Sequence, residues 1–100
     1  MAVRRLNHAV LYVSDLARVV DFYRYALGFE VRLEIPGRAA FLRAPESAND
    51  HDLGLFEVGN AARVQGAYIG LYHLAWEVGT LAELARWGDR VTGAAAGSVT

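Results

Sequence analysis

One stretch of this sequence occurs twice, and that repetition limits the possible folds more than any other feature. Leu6-Asn7-His8-Ala9-Val10-Leu11-Tyr12-Val13 returns 65 residues later as Leu71-Tyr72-His73-Leu74-Ala75-Trp76-Glu77-Val78. Leu6, His8, Val13 and Leu16 are matched by Leu71, His73, Val78 and Leu81. Each copy reads as a strand and runs into a segment with helical spacing. If two such modules fold alike, a pseudo-twofold relation brings equivalent positions face to face. A histidine at the same place in both copies is then most simply read as a pair of metal ligands.

Between the copies the pattern continues in short elements. Residues 3–13 read as a strand with Leu6, His8, Val10 and Tyr12 on one face. Ser14 and Asp15 offer cap oxygens to a helix over Leu16 to Leu27, and Gly28 suits its C′ position. Phe29, Val31, Leu33 and Ile35 alternate with Glu30, Arg32 and Glu34, which predicts a half-buried strand. Pro36-Gly37 marks a turn, Arg38 to Arg43 a returning strand, and Asp52 to Val58 a fourth. Residues 1–63 therefore read as a first β-α-β-β-β module. Residues 64–100 read as the start of a second, a strand and then a helix opened by the capping box Thr80-x-x-Glu83. The fold class expected is α+β, with paired βαβββ modules and the second one incomplete in this chain. The missing strands imply either a fragment or pairing with another chain, and unpaired edges favour a homodimer or larger assembly.

Composition narrows the chemistry. The chain is 54% hydrophobic with 21% charged residues, which is globular rather than disordered. Its net charge of -1 and the absence of a basic stripe argue against a nucleic-acid partner. No apolar run reaches membrane-spanning length, and Met1 to Leu6 does not open a signal peptide, so a cytoplasmic protein is expected. There is no cysteine, so any metal must be held by nitrogen and oxygen.

His8 and His73 lie among mostly apolar neighbours, where an imidazole without a partner is costly and metal ligation would satisfy one ring nitrogen. A carboxylate is the usual third ligand where two imidazoles hold a redox iron. Glu77 lies about 13 Å along an extended strand from His73, too far to share one ion with it. Both Glu77 and Glu57 read better as solvated residues. His51 reads either as a loop histidine or as an acid/base, since imidazole suits proton transfer near neutral pH.

Leu6-Asn7-His8-x5-Ser14-Asp15-Leu16 followed by Asp21-Phe22-Tyr23-x3-Leu27-Gly28-Phe29 resembles the opening module of the vicinal oxygen chelate superfamily. That group includes glyoxalase I, bleomycin-resistance proteins, fosfomycin-resistance enzymes and extradiol ring-cleavage dioxygenases. The resemblance covers roughly residues 4–91 and implies paired βαβββ modules that form a cupped mixed sheet around one divalent metal. It is closest to the extradiol dioxygenases, because His51-Asp52-Leu53-Gly54-Leu55-Phe56 resembles their His-Asp-Val-Ala-Phe motif. The resemblance implies that His8 and His73 are metal ligands and that His51 is the acid/base. It implies Fe(2+), with Mn(2+), Zn(2+) or Ni(2+) as other possibilities. The implied substrates are O2 and a catechol-like aromatic. The third ligand would be a Glu on a strand beyond Thr100. Glyoxalase I-like members take a Glu from the first module instead, at the position occupied here by Gly54. A glyoxalase-like isomerase or transferase and a metal-free bleomycin-resistance type of binding protein stand as the alternatives.

Overall fold

The computed structural model describes residues 1–59, 69–71 and 73–96. The expected connector from Gly59 to Gly66 lies outside them after Gly59, as do Tyr68, Tyr72 and the expected module boundary at residues 63 and 64.

The first helix begins where the sequence offers caps. Asp15 accepts a hydrogen bond from the Arg18 N–H at 3.3 Å, so Asp15 rather than Ser14 is the N-cap. Glu57 Oε1 accepts the Leu16 N–H at 2.9 Å, which adds a second carboxylate at the positive end of the helix. Helix α1, Leu16–Asp21, continues into a π-helical turn, Phe22–Ala26, where the spacing predicts one regular helix to Leu27. Gly28, with φ of 73°, donates its N–H to the Arg24 carbonyl at 3.0 Å and ends the segment in the left-handed conformation.

Four strands make one mixed sheet in the order β1-β4-β3-β2: β1 Ala9–Val13, β2 Glu30–Ile35, β3 Ala39–Arg43 and β4 Leu53–Glu57. β1 runs parallel to β4, with Ala9 opposite Leu53, and the other pairs are antiparallel. β2 and β3 are joined by Pro36-Gly37, where Gly37 has φ of 75° and the Arg38 N–H reaches the Ile35 carbonyl at 2.9 Å. A proline followed by a positive-φ glycine is the chemistry of a type II turn.

The register sorts the two faces. Leu53 and Leu55 of β4, Leu42 and Ala40 of β3, and Leu11 and Val13 of β1 lie toward α1. There they enclose Leu16, Val20 and Phe29 in the core. Val10, Tyr12, Gly54, Phe56, Phe41 and Ala39 take the opposite face. β2 corrects the sequence reading. Val31 pairs with Leu42 and Leu33 with Phe41, so Arg32 is an extra residue in a β-bulge. One added residue reverses the parity of everything after it. Leu33 and Ile35 are therefore not on the core face with Val31; they are 57% and 45% exposed on the other side. With Tyr12 and Phe56 they leave that face of the sheet apolar and open.

Among the described residues the second copy of the strand sequence forms no ladder. Residues 73–78 pair with no described strand, and they are anchored by Leu74 and Trp76, which pack against the core. The Trp76 ring lies 5.0 Å from Phe29 and 6.4 Å from Tyr23, centroid to centroid. Helix α2, Leu81–Ala96, opens on the expected box. The Glu83 N–H reaches Thr80 Oγ1 at 3.0 Å, and Glu83 Oε2 accepts the Gly79 N–H at 3.1 Å. α2 runs on through the first part of the Ala/Gly-rich tail, and Arg90 donates to the Tyr25 carbonyl in the π-helical turn.

Candidate metal centre

The parallel pairing of β1 with β4 decides which histidines meet. The expected strand included His8; the observed strand starts one residue later, and the Ala9 N–H binds the Asp52 carbonyl at 3.1 Å. Residues just ahead of two parallel neighbours emerge at the same end of the sheet. His8 and His51 therefore lie together, with ring centroids 4.8 Å apart at 59°. The Phe41 ring meets His51 edge-on at 5.1 Å from the open face of the sheet. His8 is exposed and His51 half-buried.

Each ring has one nitrogen engaged beside it. His8 Nδ1 lies 2.9 Å from Asn7 Oδ1, and His51 Nδ1 lies 3.0 Å from Asp50 Oδ2. The bond to His51 holds the Asp50 carboxyl below its ordinary range. Among the described residues the Nε2 atoms are left for other chemistry, which is the arrangement a metal-binding imidazole requires.

A polar knot around Asp52 supports both histidines. Asp52 is only 9% exposed. Its carboxylate accepts the Ala44 N–H at 2.9 Å, the Ser47 hydroxyl at 2.8 Å and the Asn49 amide at 2.6 Å. Burial pushes this carboxyl up, but the Ala44, Asn49 and Ser47 hydrogen bonds and the charge of Arg5 outweigh burial and hold it below its usual value. The signal available in the sequence was the Asn and Asp content of residues 49–52, which favours side-chain-to-backbone turns.

The other candidates fall elsewhere. His73 lies exposed in the irregular segment 73–78, and the structure does not gather it with His8 and His51. Among the described residues no group of three or more His, Cys, Asp or Glu side chains is placed to hold a metal ion. Glu57 is committed to the N-terminus of α1, and its strand position points to the helix face rather than the open one. Glu77 is exposed, as expected of a solvated residue. At Gly54 an added Cβ would come within 3.3 Å of both the Phe41 ring and Val10, so those side chains would have to give by a few tenths of an ångström.

The donor set fits a metal in its chemistry and not in its number. Neutral imidazole nitrogen is a proper ligand for the divalent transition metals. His8 offers one such nitrogen at the open face, and a full three-ligand set is not assembled by the described residues.

Comparison with known proteins shows the family. The family profile described as the Glyoxalase/Bleomycin resistance protein/Dioxygenase superfamily matches residues 5–98. Metapyrocatechase 2 of Cupriavidus necator is 36% identical over 81 residues, which is 81% of this chain and 23% of that protein. The chain thus spans about a quarter of the length of this curated relative. Lactoylglutathione lyase from Agrobacterium tumefaciens superposes with a TM-score of 0.65 at 23% identity, over 92% of this chain and 71% of that one, a likeness of fold. A variant of homoprotocatechuate 2,3-dioxygenase from B. fuscum aligns at 36% identity over 53% of this chain and 14% of that one, with a TM-score of 0.49.

Proposed function

Because the chain belongs to the glyoxalase/bleomycin resistance protein/dioxygenase superfamily, we propose that it serves extradiol ring cleavage, the opening of a catecholic ring with O2. The observation that carries the reading is the His8–His51 pair at the open end of the sheet, one ring for the metal and one for proton transfer. The 36% identity to a metapyrocatechase supports it.

In this reading His8 and His73 hold a divalent metal, Fe(2+) before Mn(2+), Zn(2+) or Ni(2+), and a Glu from outside these 100 residues completes the set. A metal held there would supply a common site for the catechol and O2. The chain's own residues do the rest. His51, held by Asp50 on one nitrogen, presents the other to move a proton at a substrate oxygen. Phe41 packs on the His51 ring and limits its orientation. Tyr12 and Phe56 line the open face, an apolar wall suited to an aromatic ring. That apolar face also suits an assembly of two or more chains. No described helix is long and apolar enough to cross a membrane, and nothing in the charge pattern suits nucleic acid.

Gly54 weighs against the glyoxalase-like alternative, since it offers no carboxylate at the position where that reading needs a Glu. A metal-free binding protein would bind a bleomycin-like drug tightly after chelation of all metal, and it leaves the paired histidines without a role.

The test is anaerobic loading with Fe(2+) and elemental analysis of the natural chain beside the His8→Ala, His73→Ala double variant. Iron retained by the natural chain and lost by the variant is expected; equal metal content sinks the reading. With catechol and air, His51→Phe should keep its metal and lose O2 uptake by about 10²- to 10⁴-fold, the usual worth of a positioned acid or base.

A further inference from the structure

We propose that Asn49 is a positioning residue which holds His8 in the tautomer with its proton on Nδ1, leaving the Nε2 lone pair open to a metal. The inference rests on the reading of His8 as a ligand and says what sets that ligand's state.

The argument is one of donors and acceptors taken in order. An amide's oxygen and nitrogen are nearly the same shape, so its neighbours decide which is which. Asn49 sits between two groups that allow no choice. A guanidinium only donates, and an ionised carboxylate only accepts. Arg5 Nη2 lies 2.9 Å from Asn49 Oδ1, while Asn49 Nδ2 lies 2.6 Å from Asp52 Oδ1 and 2.9 Å from the Asn7 carbonyl. Turning this amide over would set donor against donor once and acceptor against acceptor twice. Asn49 Oδ1 is therefore fixed as an acceptor, and it takes the Asn7 Nδ2 at 3.3 Å. That contact orients the second amide, which turns Asn7 Oδ1 toward His8 Nδ1 at 2.9 Å. An amide oxygen has no hydrogen to give, so the hydrogen between them belongs to His8 Nδ1.

The anchor of the relay does not move easily. Asp52 is buried and also held by the Ala44 N–H and the Ser47 hydroxyl, and Ser47 Oγ accepts the Asn49 backbone N–H at 3.0 Å. Order thus passes from a buried carboxylate through two amides to an exposed ring. A neutral histidine free in water favours the proton on Nε2, the atom a ligand at this open face must leave bare. Without the relay, part of the binding free energy is spent on moving that proton. Partners of this kind, one bond behind a ligand, are worth about 10- to 100-fold in metal affinity.

Long-range 1H–15N spectra of the metal-free, 15N-labelled chain, taken where imidazole is neutral, read the tautomer directly. The natural chain should show His8 with the proton on Nδ1. Asn49→Leu should move the population toward Nε2–H and weaken Fe(2+) or Zn(2+) binding by about 10- to 100-fold. Asn7→Ala, at an exposed position, should do the same and serves if Asn49→Leu does not fold. A natural chain with Nε2–H, or a tautomer unchanged in the folded variants, overturns the relay and leaves the functional reading standing. A tautomer that shifts as expected while the His8→Ala, His73→Ala chain keeps its metal overturns the functional reading, and with it the metal-directed purpose of the relay.

Discussion

The two copies of the repeated sequence have unlike fates. The first copy pairs with β4 from Ala9 to Val13 and closes over the leucines of the core. The second, residues 73–78, has the same alternation but no ladder among the described residues, and is attached by Leu74 and Trp76. Alternating side chains make a segment competent to be a strand, while a strand also needs a neighbour to take its N–H and C=O groups. The first copy finds β4 at the right distance and direction. The second is tied to the same core through side chains and stays irregular in its backbone.

This difference can be tested by weakening each half in turn. The largest effect belongs to the shared core. Leu55 is fully buried in β4, and Leu55→Ala should cost about 2–5 kcal/mol in urea unfolding. If both halves depend on this core, amides of β1 and of α2 lose protection from hydrogen exchange together.

Asp52 comes next, because it serves only the first half. Asp52→Ala leaves the Ala44 N–H, Ser47 hydroxyl and Asn49 amide without their acceptor, at a cost of about 3 kcal/mol. The pH dependence has a definite sign. The folded carboxyl lies below its unfolded value, so its contribution is complete above the ordinary carboxylate range and is lost as pH falls through the folded value. Urea midpoints between pH 7 and pH 3 should fall less steeply in Asp52→Asn than in the natural chain.

Trp76→Ala addresses the second half. It removes the ring contacts with Phe29 and Tyr23, worth together about 1–3 kcal/mol. Hydrogen exchange should quicken in residues 73–96 while β1, β3 and β4 keep their protection. Burial holds the Tyr23 hydroxyl above its usual range, against a hydrogen bond to Trp76 that lowers it. A shift of the Tyr23 absorbance titration in this variant would report the same loss. The smallest effect is expected from Thr80→Ala, which removes the α2 cap bond for about 1 kcal/mol. It should lower helix content by circular dichroism and leave the His8–His51 pair undisturbed.

Much of the first half could be read from the chain before the structure. Asp15, Gly28, Pro36-Gly37 and Thr80 sit where their local chemistry placed them, since caps and turns depend on residues three or four apart. The β-α-β-β-β order follows from the same local signals. The bulge at Arg32 was not legible, because Val31 and Leu33 look alike in sequence and only the pairing with β3 gives them opposite faces. That residues 73–78 form no ladder with the described strands was not legible either, because pairing belongs to two segments and the pattern to one.

The candidate site divides in the same way. Residue type and repetition singled out His8, His51 and His73 from the sequence alone, and the chemistry of imidazole needs no coordinates. The ring nitrogens of His8 and His51 bond to the sequence neighbours Asn7 and Asp50, but the group that orients Asn7 comes from a distant part of the chain. Asn7 and Asn49 are 42 positions apart and meet at 3.3 Å because β1 and β4 run side by side in the same direction. The sequence determined the kinds of groups on offer, through local spacing and side-chain chemistry. The tertiary structure decided which of them meet and, through Asp52 and two amides, which nitrogen of His8 carries the proton. Such a choice depends on the position of every donor and acceptor around the ring, and only the packed sheet sets those positions.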